Sequence, residues 1–392
     1  MDPVVNYENF LLKEGILNDK EVEEIKAQHA NAISQGLEIA FEQPLIQPNT
    51  DLELTDLFAP HTQTTVSPSS ETKEMRFIDA IQDGLKEGMT RYPDSVIMGQ
   101  DIAEYGGVFK VTEGFVEAFG KERVRNTPIC ESAIVGAGLG LSIAGMKAIV
   151  EMQFADFVSC GFNQIVNNLA KIHYRWGQNA DVIVRMPTGA GSAAGPFQSQ
   201  SNEAWFFHTP GLKVLYPSSP TEAKGMLLAA LEDPNPILFF EHKNLYRSIK
   251  EEVPSGYYTT PIGEAVCKSE GSEMTIITYG MGVHWAQEAM AEFEHNSIEL
   301  IDLRTLLPLD TEAIYNSVRK TGKALVLHED CLTGGIGGEI SALINEHCFE
   351  VIDAPVKRLA SMDTPVPFAA DLEHNFLPKL KLKQAIQDLL DY

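Results

Sequence analysis

Residues 127–157 read TPICESAIVGAGLGLSIAGMKAIVEMQFADF, and this stretch sets the class of fold. Pro128 presets the backbone before a helix start, and Ala133, Ala137, Leu141 and Ala144 recur behind it at helical spacing. After Gly145 the pattern switches to a short apolar strand, Lys147 to Met152, which delivers Phe154, Asp156 and Phe157 at its carboxyl end. A helix feeding an apolar strand is the repeating unit of a parallel sheet covered by helices, an α/β fold. Gly136 and Gly140 permit close approach of another helix across a subunit or domain interface. Glu131 stands at the helix head, either as an ordinary acid favoured by the positive helix end or as a carboxylate partly buried for acid–base work.

The same alternation extends on both sides. A helix over Arg76 to Tyr92 is followed by strands at Val96 to Gly99, Asp181 to Met186, Lys213 to Tyr216 and Ile237 to Glu241. A second, smaller α/β unit follows Pro254, with strands at Met274 to Thr278, Ser297 to Asp302, Ala324 to His328 and Val356 to Leu359. Residues 1–44 read as helical, and residues 45–74, which follow Pro44 and carry Pro48, Pro60 and Pro68 among Ser and Thr, read as a linker that cannot bury a core. The division expected is therefore 1–44, 45–74, 75–253 and 254–392.

A chain of 392 residues has room for two or three domains at about 100–200 residues each. Its net charge of −25 excludes the basic face that nucleic-acid binding needs. The longest apolar run, Ala133 to Met146, is too short and glycine-rich to span a membrane, and the amino terminus carries no secretory signal pattern. The five cysteines are dispersed and odd in number, which points to reduced thiols and a cytoplasmic location. G-A-G-L-G at Gly136 to Gly140 lacks the preceding strand and the spacing of a dinucleotide fingerprint. No Walker loop, H-E-x-x-H, clustered zinc ligands or G-x-S-x-G elbow occurs.

Two further segments can carry chemistry. Phe154 and Phe157 lie where open α/β sheets bind ligands, as core aromatics or as rings that stack on a heterocycle. Residues 187–211, PTGAGSAAGPFQSQSNEAWFFHTPG, form a long glycine- and serine-rich loop ending in a helix-like NEAWFFH. His208 closes it, as a helix cap or as a proton donor that titrates near neutrality.

Taken together, TPICES, EMQFADF, QSQSNEAWFFHTPGLKVLYPSSP and EDPNPILFFEHKNLYR resemble the beta subunit of thiamin-diphosphate-dependent 2-oxo acid dehydrogenases, the pyruvate and branched-chain group, from about residue 75 onward. The resemblance implies a pyrimidine-binding transketolase-like domain over 75–253 and a transketolase C-terminal-like domain over 254–392. It implies that Glu131 hydrogen-bonds N1′ of the cofactor's aminopyrimidine, that Phe157 packs on that ring, and that His208 assists acyl transfer to lipoamide. Asp233 and Asn235 match positions around a potassium site in branched-chain members, and HKNLYR leans toward a branched-chain substrate.

The family's diphosphate and magnesium are held by a G-D-G motif that this chain lacks, so an alpha half must supply them, in cis or in trans. DPVVNYENFLLKEGILNDKEVEEI is similar to the tail of that alpha subunit, so the chain reads as the last part of a fused alpha-beta polypeptide. Implied partners are that half, a second copy of the chain in a dimer, and a lipoyl-bearing acyltransferase. Competing readings are an assembly scaffold without activity of its own and a transketolase-like ketol transfer.

Overall fold

The structure, a computed structural model, describes residues 2–295 and 297–392. It divides into two units, one ending at Leu54 and one beginning at Thr55. In the first, Asp2 caps the Pro3–Lys13 helix by accepting from the Val4 N–H at 2.8 Å. Asn18 and Glu21 form a reciprocal capping box at the start of the Asp19–Glu42 helix. Lys26 joins the two helices through Glu8 at 2.9 Å. Val22 is buried, whereas Phe10, Ile33, Leu37 and Phe41 are exposed, so these helices bury little apolar surface within their own unit.

Among the described residues, the second unit carries fourteen strands. They are β1 (Thr72–Arg76), β2 (Ser95–Gly99), β3 (Val124–Asn126), β4 (Lys147–Glu151), β5 (Val182–Thr188), β6 (Lys213–Leu215) and β7 (Ile237–His242). The chain continues through β8 (Lys250–Pro254), β9 (Val266–Ser269), β10 (Met274–Thr278), β11 (Ile298–Asp302), β12 (Thr305–Leu307), β13 (Ala324–Cys331) and β14 (Lys357–Ser361). A seven-stranded sheet runs β12-β6-β7-β5-β4-β2-β3, parallel except for β12, and a five-stranded sheet runs β14-β13-β10-β11-β9. β5 and β7 are buried along their whole length, as expected of strands covered on both faces.

Within this second unit β12, which follows β11 of the five-stranded sheet, joins the edge of the seven-stranded sheet, and one apolar cluster runs from Val96 through Phe240 and Ile277 to Cys348. The two sheets therefore share a core. The Glu131–Ile143 helix packs on the sheet through Gly138, where a Cβ would stand 3.0 Å from Val150 and 3.3 Å from Val182. Gly136 and Gly140 make no comparably close approach within this chain, and Ala133, Ala137, Gly140 and Ala144 remain exposed.

The proline-rich stretch is partly docked. Ala59 is buried against Asn235, Gln63 exchanges two hydrogen bonds of 2.7 Å with Ile262, and the Val66 N–H donates to Thr259 at 2.9 Å. β1 then pairs antiparallel with β8. Low apolar content keeps such a segment from forming a core, yet its backbone finds hydrogen-bond partners on the body of the same chain.

A buried charge network lies beneath the carboxyl edge of the larger sheet. Arg185 on β5 grips Glu241 on β7 with two hydrogen bonds, 2.7 and 2.8 Å, and reaches Glu151 on β4 at 2.6 Å. Tyr246 donates to Glu241 at 2.7 Å. Burial alone would depress the guanidinium, but the two carboxylates outweigh it and hold it charged.

Candidate active site

Glu131 is the first residue of its helix and only 7% exposed. Gln100, one residue past the end of β2, donates from Nε2 to Glu131 Oε1 at 2.9 Å. Among the described residues no protein donor reaches Oε2. The fold also brings the segment after β4 against this helix head, since a Cβ on Gly161 would stand 3.3 Å from the Glu131 carbonyl oxygen. Gln100 was not visible in the sequence, because a single amide after a strand has no pattern to mark it. Its place at the carboxyl edge beside β4 was the available signal.

The 3₁₀ segment Ala155–Gly161 follows β4. Phe109, Phe154 and Phe157 form a chain of edge-to-face contacts with centroids 5.6 Å apart at each step. Phe154 and Phe157 are half-buried, so each packs on a neighbour and keeps part of its ring uncovered. Lys243 Nζ stands 5.7 Å from the Phe154 ring, and burial lowers this lysine to about 8.

His208 follows the short Ala204–Phe207 helix and is exposed. Phe206 and Trp205 of that helix pack on Phe162 at 5.5 and 6.4 Å, next to Gly161 on the Glu131 helix head. Asn202 donates to the Ala155 carbonyl at 2.9 Å, and Gln200 donates from its backbone and side chain to Asp156 at 3.2 and 3.1 Å. The long loop is thereby sewn to the segment that carries Phe157, and the structure places Glu131, Phe157 and the His208 helix on one connected layer.

Ser199, Asn202 and Glu203 are buried, although polarity alone favours exposure, and the Ser199 hydroxyl, Asn202 Oδ1 and Glu203 Oε2 have no protein partner among the described residues. Tyr279 donates to Glu203 Oε1 at 2.6 Å, and His242 pairs with Glu329 at 2.7 Å. Burial, reinforced by the charge of Asp330, pushes Glu203 up to about 8. The unfolded chain releases this proton near pH 4.3, so between roughly pH 4.3 and 8 the native state holds one proton more and stability falls as pH rises. Glu203→Gln is expected to flatten that fall in melting temperature. A pH dependence as steep as that of the unsubstituted protein would refute it.

Asp233 and Asn235 are adjacent and buried, but they do not fit a potassium ion. Asp233 Oδ1 accepts from the Asn235 N–H and Nδ2, its Oδ2 is paired with Lys213, and Asn235 Oδ1 accepts from the Ala59 N–H. Among the described residues, Cys267, Glu270 and Glu299 form a group close enough to hold a metal. Lys320 already bridges its two carboxylates. It is no magnesium site for a diphosphate, and none of the described helices is long and apolar enough to cross a membrane.

Comparison with known proteins gives this arrangement a context. The transketolase pyrimidine binding domain matches residues 73–249, and the transketolase C-terminal domain matches residues 263–381. The chain is 46% identical to the 2-oxoisovalerate dehydrogenase subunit beta of Bacillus subtilis (strain 168), over 81% of this chain and 99% of the relative. It is 44% identical to the mitochondrial 2-oxoisovalerate dehydrogenase subunit beta 2 of Arabidopsis thaliana, over 84% of this chain and 93% of the relative. The Pseudomonas aeruginosa 2-oxoisovalerate dehydrogenase subunit beta is 38% identical over 76% and 90%. A solved split-gene transketolase, an inactive beta4 tetramer, shares the fold with a TM-score of 0.64 at 22% identity, covering 81% of this chain and 98% of that one. A buried carboxylate at a helix head, the two matched domains and these relatives agree: the chain belongs to the beta-subunit family of thiamin-diphosphate-dependent 2-oxo acid dehydrogenases.

Proposed function

We propose that this chain is the pyrimidine-side half of a decarboxylating component that acts on branched-chain 2-oxo acids and passes the acyl group to lipoamide. The observation that carries the reading is Glu131, buried at a helix head and held by Gln100 through one oxygen only. Its second carboxylate oxygen, an acceptor, fits the protonated ring nitrogen of an aminopyrimidine, a flat heterocycle, and the half-buried Phe157 lies on the segment that abuts the same helix head. When bound, thiamin diphosphate supplies the electron sink that lets carbon dioxide leave. Glu131 would hold a proton at N1′ through Oε2 while Gln100 fixes the carboxylate plane. Phe157 would orient the ring and help exclude water. His208, exposed on the loop, would deliver a proton to a dithiolane sulfur of the lipoyl group.

The names of the three relatives favour a branched-chain substrate over pyruvate. An alpha half, in cis or in trans, would bring the diphosphate and magnesium ligands that are missing among the described residues. The Pro3–Lys13 and Asp19–Glu42 helices would be the tail of such a half. We divide the beta portion at residues 75–253 and 254–392, with β12 crossing that boundary. A second copy of the chain would complete the assembly. The five free thiols accord with a cytoplasmic setting.

Reconstitution with a diphosphate-binding alpha chain tests the reading. Turnover of 3-methyl-2-oxobutanoate is expected to exceed that of pyruvate, and no decarboxylation of either in a formed complex would refute the assignment. In the same system His208→Ala is expected to spare decarboxylation with an artificial electron acceptor and to slow acyl transfer to a lipoyl domain by about 10²-fold or more. Equal loss in both assays would return His208 to a capping role.

A further inference from the structure

The corner around Asp233 contains its own cation. Asp233 follows the last residue of the Pro220–Glu232 helix, and Lys213 opens β6. The lysine ammonium pairs with Asp233 Oδ2 and lies 5.5 Å from the Phe58 ring. The other carboxylate oxygen accepts from the Asn235 N–H at 3.0 Å and Nδ2 at 2.7 Å. Asn235 in turn clamps the backbone of Ala59, accepting from its N–H at 2.8 Å and donating to its carbonyl at 3.1 Å. Asp233, Asn235 and Ala59 are 1%, 2% and 3% exposed. A second pair, Lys147 and Asp181 at 2.6 Å, lies close enough for the Asp233 charge to act on Asp181.

Lys213 and Lys147 thus face Asp233 and Asp181, with the charge of Asp94 also acting on Asp181, and each of the three side-chain oxygens of Asp233 and Asn235 has a protein donor. A monovalent ion entering through those side-chain oxygens would have to share them with N–H donors and would sit beside a half-buried ammonium of like charge. We propose that Lys213 is the resident cation of this corner: it takes the place of a potassium ion and, through Asp233 and Asn235, anchors the proline-rich segment to the catalytic body at Ala59. The proposal is independent of the activity assigned above.

Two measurements on the whole chain test it. Thermal unfolding in potassium chloride and in choline chloride at equal ionic strength is expected to give the same midpoint, because an ion that binds the native state would raise it by mass action. A saturable rise with potassium that disappears in Asp233→Asn would overturn the resident-cation assignment. The anchor is read by limited chymotrypsin digestion. Asn235→Ala, which leaves the Lys213–Asp233 pair intact, is expected to speed cleavage after Phe58 by roughly tenfold, the change in opening equilibrium for two lost hydrogen bonds. Unchanged cleavage in Asn235→Ala would overturn the anchoring role. Lys213→Met, where it folds, should show the same new cut and gain a potassium-dependent rise in midpoint, and a folded variant showing neither would refute the proposal.

Discussion

Glu131→Gln, in an assembly containing the alpha half, is expected to lower turnover by about 10²–10⁴-fold while leaving folding and association unchanged. The amide has the shape of the carboxylate, and its oxygen can still accept from Gln100 Nε2, so the 2.9 Å contact at the helix head survives. What is lost is the capacity to share a proton through the second oxygen. A melting temperature within a degree or two of the parent and full alpha–beta assembly would show that the loss is chemical. Near-normal turnover by that assembly would remove Glu131 from the proposed mechanism.

The second large effect concerns stability. Arg185→Met would leave Glu151 and Glu241 in the core without their guanidinium partner, and breaking a buried pair this way typically costs about 3–5 kcal/mol. Burial already raises Glu151, with Arg185 counteracting it, so removal of the arginine moves that carboxyl further up. A carboxyl raised in the native state retains its proton there, and the penalty is largest at high pH and shrinks as pH falls toward the unfolded value. Denaturant midpoints are therefore expected to converge between variant and parent as the medium is acidified. A pH-independent loss below about 1 kcal/mol would show that water reaches the network and substitutes for the arginine.

The long apolar strands were legible in the sequence because burial on both faces leaves a continuous hydrophobic run, as in β4, β5, β7, β10 and β11. β12 was not, since three residues carry no period and its pairing with β6 is a tertiary event. β1 and β8, TKEMR and KEEVP, are mostly polar and read as connection, though they pair with each other. Arg185 interrupts an apolar strand, and its burial depends on acids brought alongside by two other strands. The helix-head position of Glu131 was visible from Pro128 and the small residues behind it, whereas the roles of Phe157 and His208 rested on family resemblance. Ser199 to Glu203 read as the polar end of a long loop leading into a helix-like segment, with nothing to show their burial, and the contacts that enclose them come from Tyr279 and from the segment after β4.

The β1–β8 pairing has a consequence for the order of assembly. Thr72 and Glu252, 180 positions apart, meet across it at 2.8 Å, and the Ser255 N–H extends the seam to the Glu71 carbonyl. During vectorial synthesis β1 emerges long before β8 and remains an unpaired strand edge until almost the whole larger sheet has left the ribosome. Closing so long a loop is entropically costly before the intervening strands have condensed, which makes this seam a late event in folding. Chains interrupted before Lys250 would carry β1 as an open edge, so incomplete translation products are the species most exposed to sticking together.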